Sequence, residues 1–434
     1  MYTTISTAPF LLFIMTVIQC LWLTAIWRAG AANSWWKLPW LLGYSILSFF
    51  LVRSLSARHT SIFGRFQEYL ILHERSLLVA LSALVVGVGG PYAFYQLGWP
   101  DETYVYAASI FVADHGVVEF FDQYLQIPWL GKQHPPLVPL IYGLALKWFG
   151  VHLVIARWVS LLLGLGSLLL TYAIGRILYD RKLGLVSAIL LLSMPFFFRI
   201  GATALTDMPV TFFSLLALFF FFRLLQAPKL NLAFLAGLCL GLGLLCRYTA
   251  VLLYVVFFFC YVMEDSFHKM KLHLTLIVVV SASILFLWLS YAWHQGILIT
   301  QMETLFPYVR YVTSVPTGRK WLVSVVLFRL PSGLGPYLLP LLLLGGWRLL
   351  QRRSNEDRFI LAWVGGIFLP LLLTLPSPRY FLPAFPALAI VLAQGLDRVV
   401  KNAEHVLLLA LLYGGGALYL FVDWYRAAGG LFAR

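Results

Sequence analysis

The stretch 154–178 reads VIARWVSLLLGLGSLLLTYAIGRIL, an apolar run whose only charged residues are Arg157 near its start and Arg176 near its end. A helix needs about 20 mainly apolar residues to cross a hydrocarbon core, so this run is long enough to span one. Runs of the same kind recur on both sides of it, near 8–27, 38–54, 76–97, 183–200, 208–225, 230–246, 248–264, 271–293, 334–350, 358–375, 380–397 and 405–424. Together they predict an all-α, polytopic integral membrane protein of about 13 transmembrane helices. The first run follows a segment, Met1–Phe10, without a basic residue, which favours an uncleaved anchor over a signal peptide.

Composition agrees with this reading and excludes the main alternatives. Of the 434 residues, 61% are hydrophobic and 11% charged, and the mean hydropathy is +0.87. Soluble domains carry roughly 25% charged residues to cover a water-facing surface. The low polarity also excludes a disordered chain, and the glycines show no collagen-like period. Lys and Arg exceed Asp and Glu by 14. Without a compact basic and aromatic module, that excess is read as topogenic or as contact with anionic headgroups, and nucleic acid is excluded as a partner. Cys20, Cys239, Cys246 and Cys260 sit in apolar runs without metal-ligand spacing and read as small buried hydrophobes.

The short loops set the orientation. Segments 53–75, 176–182, 223–229, 269–271, 348–358 and 398–401 hold 17 of the 31 Lys and Arg residues, which makes theirs the cytoplasmic side and puts the N-terminus there. An odd number of spans puts the C-terminus outside. The opposite side carries long loops at 97–135 and 294–333 and short turns at 201–207, 247 and 376–379. Within the first long loop, 103–115 can form an amphipathic interfacial helix, and 136–150 is a second short helix lying against the membrane.

Ionisable groups close to hydrocarbon are costly, so their positions are functional hypotheses. Three clusters fall on the outer side: Trp99-Pro100-Asp101-Glu102-Thr103-Tyr104, Gly131-Lys132-Gln133-His134-Pro135-Pro136, and Leu205-Thr206-Asp207-Met208-Pro209. Asp101 and Glu102 can supply a general base, and equally suit an ordinary acidic helix start. The paired prolines alone explain a break before a helix, while Lys132 and His134 can face an anion. Thr206 and Asp207 fit a helix cap followed by proline. What raises the functional reading is that all three clusters share one side. Outer arginines join them: Arg199, Arg310, and above all Arg247 and Arg379, which sit in very short turns and suit a phosphate at the membrane face.

Taken in order, these motifs resemble the GT-C glycosyltransferases, nearest to family 39, the protein O-mannosyltransferase and aminoarabinose-transferase group. Trp99–Ala107 resembles that group's acidic first-loop motif; His134-Pro135-Pro136-Leu137, Phe149-Gly150 and Ala156-Arg157 resemble its second interfacial helix and next span. Asp207 matches its acidic second outer loop, and Arg379-Tyr380-Phe381-Leu382-Pro383-Ala384-Phe385-Pro386-Ala387 resembles its late Tyr-Leu-Pro signature. Spans 8–27 and 38–54 come in addition to the single helix the group has before the acidic loop, and His134 stands where the aminoarabinose branch commonly has Lys. The chain thus divides into 1–75, two added helices with a cytoplasmic loop; 76–398, the GT-C-like core, with 97–150 as its outer loop; and 399–434, a C-terminal helix.

The resemblance implies an inverting transfer of a sugar from a polyprenyl-phosphate donor to a hydroxyl of a lipid, glycan or protein acceptor, on the outer side of a prokaryotic plasma membrane. It implies Asp101 as general base, Glu102 as the residue that orients or substitutes for it, and Asp207 as a sugar-binding residue. Arg247 and Arg379, then Lys132 and Arg310, would stabilise the donor phosphate, and His134 and Tyr380 are further substrate-binding candidates. A divalent metal is an open matter: His134, His115, Glu119, Asp122 and His294 are candidate ligands, although hydrogen-bonding interfacial histidines account for them more simply. Trp99 and Trp129 are candidate stacking surfaces for a sugar ring. The competing readings are a transporter or flippase of lipid-linked sugars and a non-catalytic subunit of the same fold. Clustering of the ionisable residues at one face, with no internal repeat, favours the enzyme.

Overall fold

The computed structural model describes residues 74–94, 100–127, 134–263, 270–303, 330–335, 338–374 and 377–399. The predicted spans 8–27, 38–54 and 405–424 lie outside these residues, as do Trp99, Trp129, Lys132 and Arg310. Every regular element described is helical. In order they are α1 (Glu74–Ala93), α2 (Pro100–Asp122), α3 (Leu137–Phe149), α4 (Leu153–Leu178), α5 (Arg181–Leu192), α6 (Pro195–Gly201), α7 (Asp207–Gln226) and α8 (Leu230–Cys246). A 3-10 turn (Tyr248–Val251) leads into α9 (Leu252–Met263) and α10 (Lys271–His294). Then come α11 (Leu330–Leu334), α12 (Leu339–Arg352), α13 (Asn355–Thr374), a second 3-10 segment (Pro378–Ala384) and α14 (Phe385–Val399).

Among the described residues, four helical stretches are long and apolar enough to cross a membrane: α4, α7, α10 and the run Pro378–Arg398. A fifth is added if α5 and α6 count as one broken span. The expected count of about 13 extends beyond what is described. The sequence predicts one continuous span over 183–200, and here the structure corrects it: the chain bends by 73° between α5 and α6. Pro195 is the cause. It has no N–H to continue the hydrogen-bond ladder of α5, its ring opposes the carbonyl one turn back, and it suits the first turn of a new helix. The Ser193 hydroxyl donates to the Leu190 carbonyl at the break, at 2.8 Å.

Residues 183–201 are buried on every side, so α5 and α6 form the centre of the bundle. α4 and α14 pack against α5, α7 packs on α4 and on α8, and α10 packs on α8. Burial follows this order: Pro378–Arg398 is almost wholly buried, whereas little of α10 is. The exposed face of α10 carries Leu272, Val279, Phe286 and Leu287, an apolar surface of the kind lipid covers. Cys239, Cys246 and Cys260 are buried and free, and the Phe221 and Phe257 rings stack at 4.4 Å within the core.

Helices α2 and α3, expected to lie at the interface, pack together, and α3 rests on α4 and α8. α2 extends past the expected 103–115 and is interrupted at Gly116, whose φ of 87° a side chain would resist. Val118, Trp148 and Phe149 point outward from the pair, as suits helices resting at a headgroup boundary.

At the end of the bundle away from α2 and α3, the loops predicted as cytoplasmic are tied together by ion pairs. Glu74 accepts from the Tyr172 hydroxyl at 2.7 Å and from Arg176 at 3.3 Å. Asp397 accepts from Lys182 and from Arg348, both at 2.7 Å, joining α5, α12 and α14. Asp357 accepts from Arg352 and from the Tyr179 hydroxyl, the latter at 2.9 Å. The scarce charges are therefore sorted to the two ends.

The crossing of α12 and α14 depends on two glycines. A Cβ at Gly345 would collide with the Val391 carbonyl, and one at Gly395 with the Leu341 carbonyl, so the backbones touch where side chains would separate them. Gly345→Val is expected to cost about 1–3 kcal/mol through overpacking, read as a lower thermal unfolding midpoint in detergent. Gly346, whose added Cβ meets nothing within 4 Å, supplies the control: Gly346→Ala should leave the midpoint unchanged or raise it. Equal losses at the two positions would refute the close-packing account.

Candidate active site

Asp101 and Glu102 occupy the first turn of α2, where the helix dipole favours negative charge. Neighbours on an α-helix diverge by about 100°, so the two carboxylates cannot serve one direction. Glu102 turns inward. Its side chain is 2% exposed and is gripped by Arg157, whose Nε donates to Oε1 at 2.8 Å and Nη2 to Oε2 at 2.7 Å. The Ala204 amide donates to Oε1 at 2.8 Å, and Arg157 Nη1 donates to the Ala93 carbonyl at 3.0 Å. This one ion pair ties together the end of α1, the start of α2, the start of α4 and the turn before α7. Glu102 is thus held as a clamp, next to Asp101 on the same helix turn.

Asp101 turns the other way. It is 31% exposed and forms an ion pair with Arg379 from the second 3-10 segment. Asp207, at the start of α7, is buried, and its Oδ1 accepts from Arg247 Nη1 at 2.5 Å. Its Oδ2 is buried and has no hydrogen-bond donor among the described residues. Thr206 makes no side-chain capping bond; its hydroxyl accepts from Arg247 at 3.3 Å instead, so the simple cap account of this turn does not hold. Tyr380 joins the two ion pairs. The Arg247 guanidinium lies over its ring, 3.7 Å from the centroid, and that of Arg379 lies 5.5 Å from it. The structure therefore brings together Asp101, Asp207, Arg247, Arg379 and Tyr380, from α2, α7, the α8–α9 turn and the segment before α14.

His134 sits against this group. Its carbonyl accepts from the Tyr124 hydroxyl at 2.6 Å and from Gln301 Nε2 at 3.2 Å. Gln301 Oε1 in turn accepts from the Tyr248 hydroxyl, which accepts from the Trp288 indole, each at 2.8 Å. Burial holds the imidazole well below its usual range, and the positive charges of Arg247 and Arg379 add to the effect. From α3, the Tyr142 hydroxyl donates to the Leu205 carbonyl at 2.8 Å and steadies the turn that carries Asp207.

The metal candidates do not converge: among the described residues no three His, Cys, Asp or Glu side chains are placed to hold one ion. His115 is exposed and stacked on Phe111, and Glu119 accepts from Gln123. Arg199 is buried on α6. Two features went unread in the sequence, the Arg157 clamp and the polar chain behind His134. An arginine beside an apolar run was the available signal for the first. Nothing in sequence order flagged the second, because it joins residues far apart in the chain.

Three comparisons bear on this arrangement. Residues 133–291 match the family described as dolichyl-phosphate-mannose-protein mannosyltransferase. An uncharacterized protein of Aquifex aeolicus (strain VF5) is 26% identical over 358 residues, 78% of this chain and 68% of that one. Among solved structures, ArnT from Cupriavidus metallidurans bound to undecaprenyl phosphate superposes with a TM-score of 0.62 at 16% identity, covering 83% of this chain and 78% of that one. The archaeal oligosaccharyltransferase AglB from Archaeoglobus fulgidus, in complex with an inhibitory peptide and a dolichol-phosphate, gives a TM-score of 0.52 at 15% identity. That match covers 85% of this chain and 56% of AglB. The chain is an integral membrane protein with the helical fold of GT-C glycosyltransferases, and the resemblance read from its motifs holds at that level.

The clamp generates one prediction and His134 another. Arg157→Ala leaves a buried carboxylate uncompensated and is expected to cost about 3–5 kcal/mol. Removing both charges with Glu102→Gln and Arg157→Met should cost less than the single change, as measured by thermal unfolding in a double-mutant cycle. Strictly additive losses would disprove the coupling. As for His134, below about pH 6.5 the unfolded chain takes up a proton that the native imidazole refuses, so native stability falls as pH falls. The unfolding midpoint should drop between about pH 7.5 and 5.5, and His134→Gln should flatten part of that slope.

Proposed function

We propose that this chain is an inverting glycosyltransferase that moves a sugar from a polyprenyl-phosphate donor to a hydroxyl acceptor. The reaction is placed at the outer face of a prokaryotic plasma membrane and within residues 76–398. The observation that carries this reading is a partly exposed carboxylate, Asp101, paired with one of two arginines that lie against the ring of Tyr380 at one end of a membrane bundle. ArnT was solved bound to undecaprenyl phosphate, and AglB with a dolichol-phosphate and an inhibitory peptide, which supports a lipid-phosphate donor here. The opposite end carries Arg176, Arg181, Lys182, Arg348, Arg352, Arg353 and Arg398, which supports a cytoplasmic assignment for it and an outward one for the site.

The chemistry follows from these groups. Asp101 accepts the proton of the acceptor hydroxyl as its oxygen attacks the anomeric carbon. The bond from that carbon to the donor phosphate oxygen breaks on the opposite face, which inverts the centre. A lipid phosphate leaves as a stable anion and needs no strong acid. Arg379 and Arg247 stabilise its growing charge, and a site poor in water strengthens that interaction. The free Oδ2 of Asp207 can accept a hydrogen bond from a sugar hydroxyl. Glu102 acts through position alone, fixing Asp101 relative to the Asp207 turn. Lys132 and Arg310 are further candidates for the phosphate. The rival transporter reading is disfavoured because such proteins place ionisable groups near the midplane; the described ionisable clusters here lie at the two ends.

The test is transfer itself. Purified protein is incubated with polyprenyl-phosphate sugars and a panel of hydroxyl acceptors. Asp101→Asn should lower turnover by about 10²–10⁴-fold, the usual range for loss of a general base. Undiminished transfer by that variant removes the base assignment. Lipid movement across vesicles without any turnover would favour the transporter.

A further inference from the structure

The proposed donor binds through an anion, yet the cluster meant to receive it is already neutral. Among the described residues the charges around Tyr380 cancel in pairs: Asp101 with Arg379, Asp207 with Arg247, and Glu102 with Arg157 behind them. A phosphate entering a balanced and largely buried cluster brings unpaired negative charge, which costs several kcal/mol unless a cation is released to it. Of the three described carboxylates, the one that lets go most easily is the one a phosphate would replace.

Geometry decides which. Glu102 has two bonds from Arg157 and one from the Ala204 amide, and its side chain is 2% exposed. Asp207 is equally buried, so releasing its arginine would strand a charge away from water. Asp101 is 31% exposed, and Arg379 is its only ion-pair partner among the described residues. It also lies in the first turn of α2, where water and the helix dipole can take over its charge.

We infer that Asp101 occupies the seat of the donor phosphate in the substrate-free protein, and that the arriving phosphate takes Arg379 from it. The inference rests on the donor reading above and adds regulation to that site. While paired, the Asp101 carboxylate is turned to the Arg379 guanidinium and its Oδ2 is taken up by that bond. Once displaced, it is free beside the reaction centre. The donor therefore binds first and arms the base, and the acceptor hydroxyl is not deprotonated before there is a sugar to receive it. When transfer is complete the proton rests on Asp101 and the lipid phosphate on Arg379. Loss of that proton to water and of the phosphate to the membrane restores the ion pair.

The experiment measures binding, independent of turnover. Geranyl phosphate is titrated into the purified full chain in detergent, for native protein, Asp101→Asn, Arg379→Gln and the double variant, with geraniol and inorganic phosphate as parallel ligands. Removing the competing carboxylate should tighten geranyl phosphate binding about tenfold, the gain should vanish in the double variant, and geraniol should show none. If the Asn protein unfolds at a lower midpoint than native, Asp101→Ser takes its place. Equal or weaker binding by the Asp101 variants, with native protein binding normally, overturns the inference and leaves the donor reading intact. A gain that survives in the double variant, or appears with geraniol, overturns it as well. Absence of geranyl phosphate binding in every protein, or equally tight binding of inorganic phosphate, overturns the lipid-phosphate reading itself.

Discussion

Glu102 and Arg157 form an ion pair that lipid and protein together seal from water, and the rest of the active end is built around it. A bare carboxylate or guanidinium in such a place would cost several kcal/mol, so each side chain holds the other in place. Because Arg157 also reaches the Ala93 carbonyl and Glu102 the Ala204 amide, the pair fixes four segments at one point. Asp101 is the next residue along α2, and Asp207 is three residues beyond Ala204. Their relative position is inherited from the clamp. A net stabilising contribution from the pair is not required for this role; what matters is that its bonds reach all four segments at once.

The same economy governs the whole bundle. With 11% of its residues charged, the protein places its ion pairs at the two ends of the helices and leaves the middle to close packing. At one end Asp357, Asp397 and Glu74 staple helices together through arginine, lysine and tyrosine. At the other, Asp101, Asp207, Arg247 and Arg379 form a comparable network, but one that is partly open and carries a buried carboxylate oxygen with no described donor. The first set is saturated and reads as structure. The second is incomplete in the way a site awaiting a polar ligand is incomplete.

Several elements of this were legible in the chain. Asp101, Asp207, Arg247 and Arg379 stood out because ionisable residues at the edge of apolar runs are expensive and few, and the short loops sorted them to one side. The helical extents of α7, α8 and α10 follow the apolar runs within a residue or two. The bend between α5 and α6 was written in Pro195 but hidden by continuous hydrophobicity on both sides, since burial all round erases the amphipathic signal. The inward turn of Glu102 was hidden for another reason. Two adjacent acids look alike in sequence, and only the 3.6-residue turn of α2 and the position of Arg157 separate the clamp from the base.

The sequence by itself determined that the chain lives in lipid, which end of the bundle holds its exceptional charges, and which family of folds its motifs resemble. These depend on local composition and on the cost of moving charge into hydrocarbon, which each segment reports independently. Only the tertiary structure decided the pairings: Asp101 with Arg379 across most of the chain, Asp207 with Arg247, and both arginines with Tyr380. Pairing is a matter of ångström-scale distance between residues that lie 40 positions apart in one ion pair and 278 in the other. Electrostatic energy depends on that distance and on the exclusion of water, and neither exists until the helices have packed.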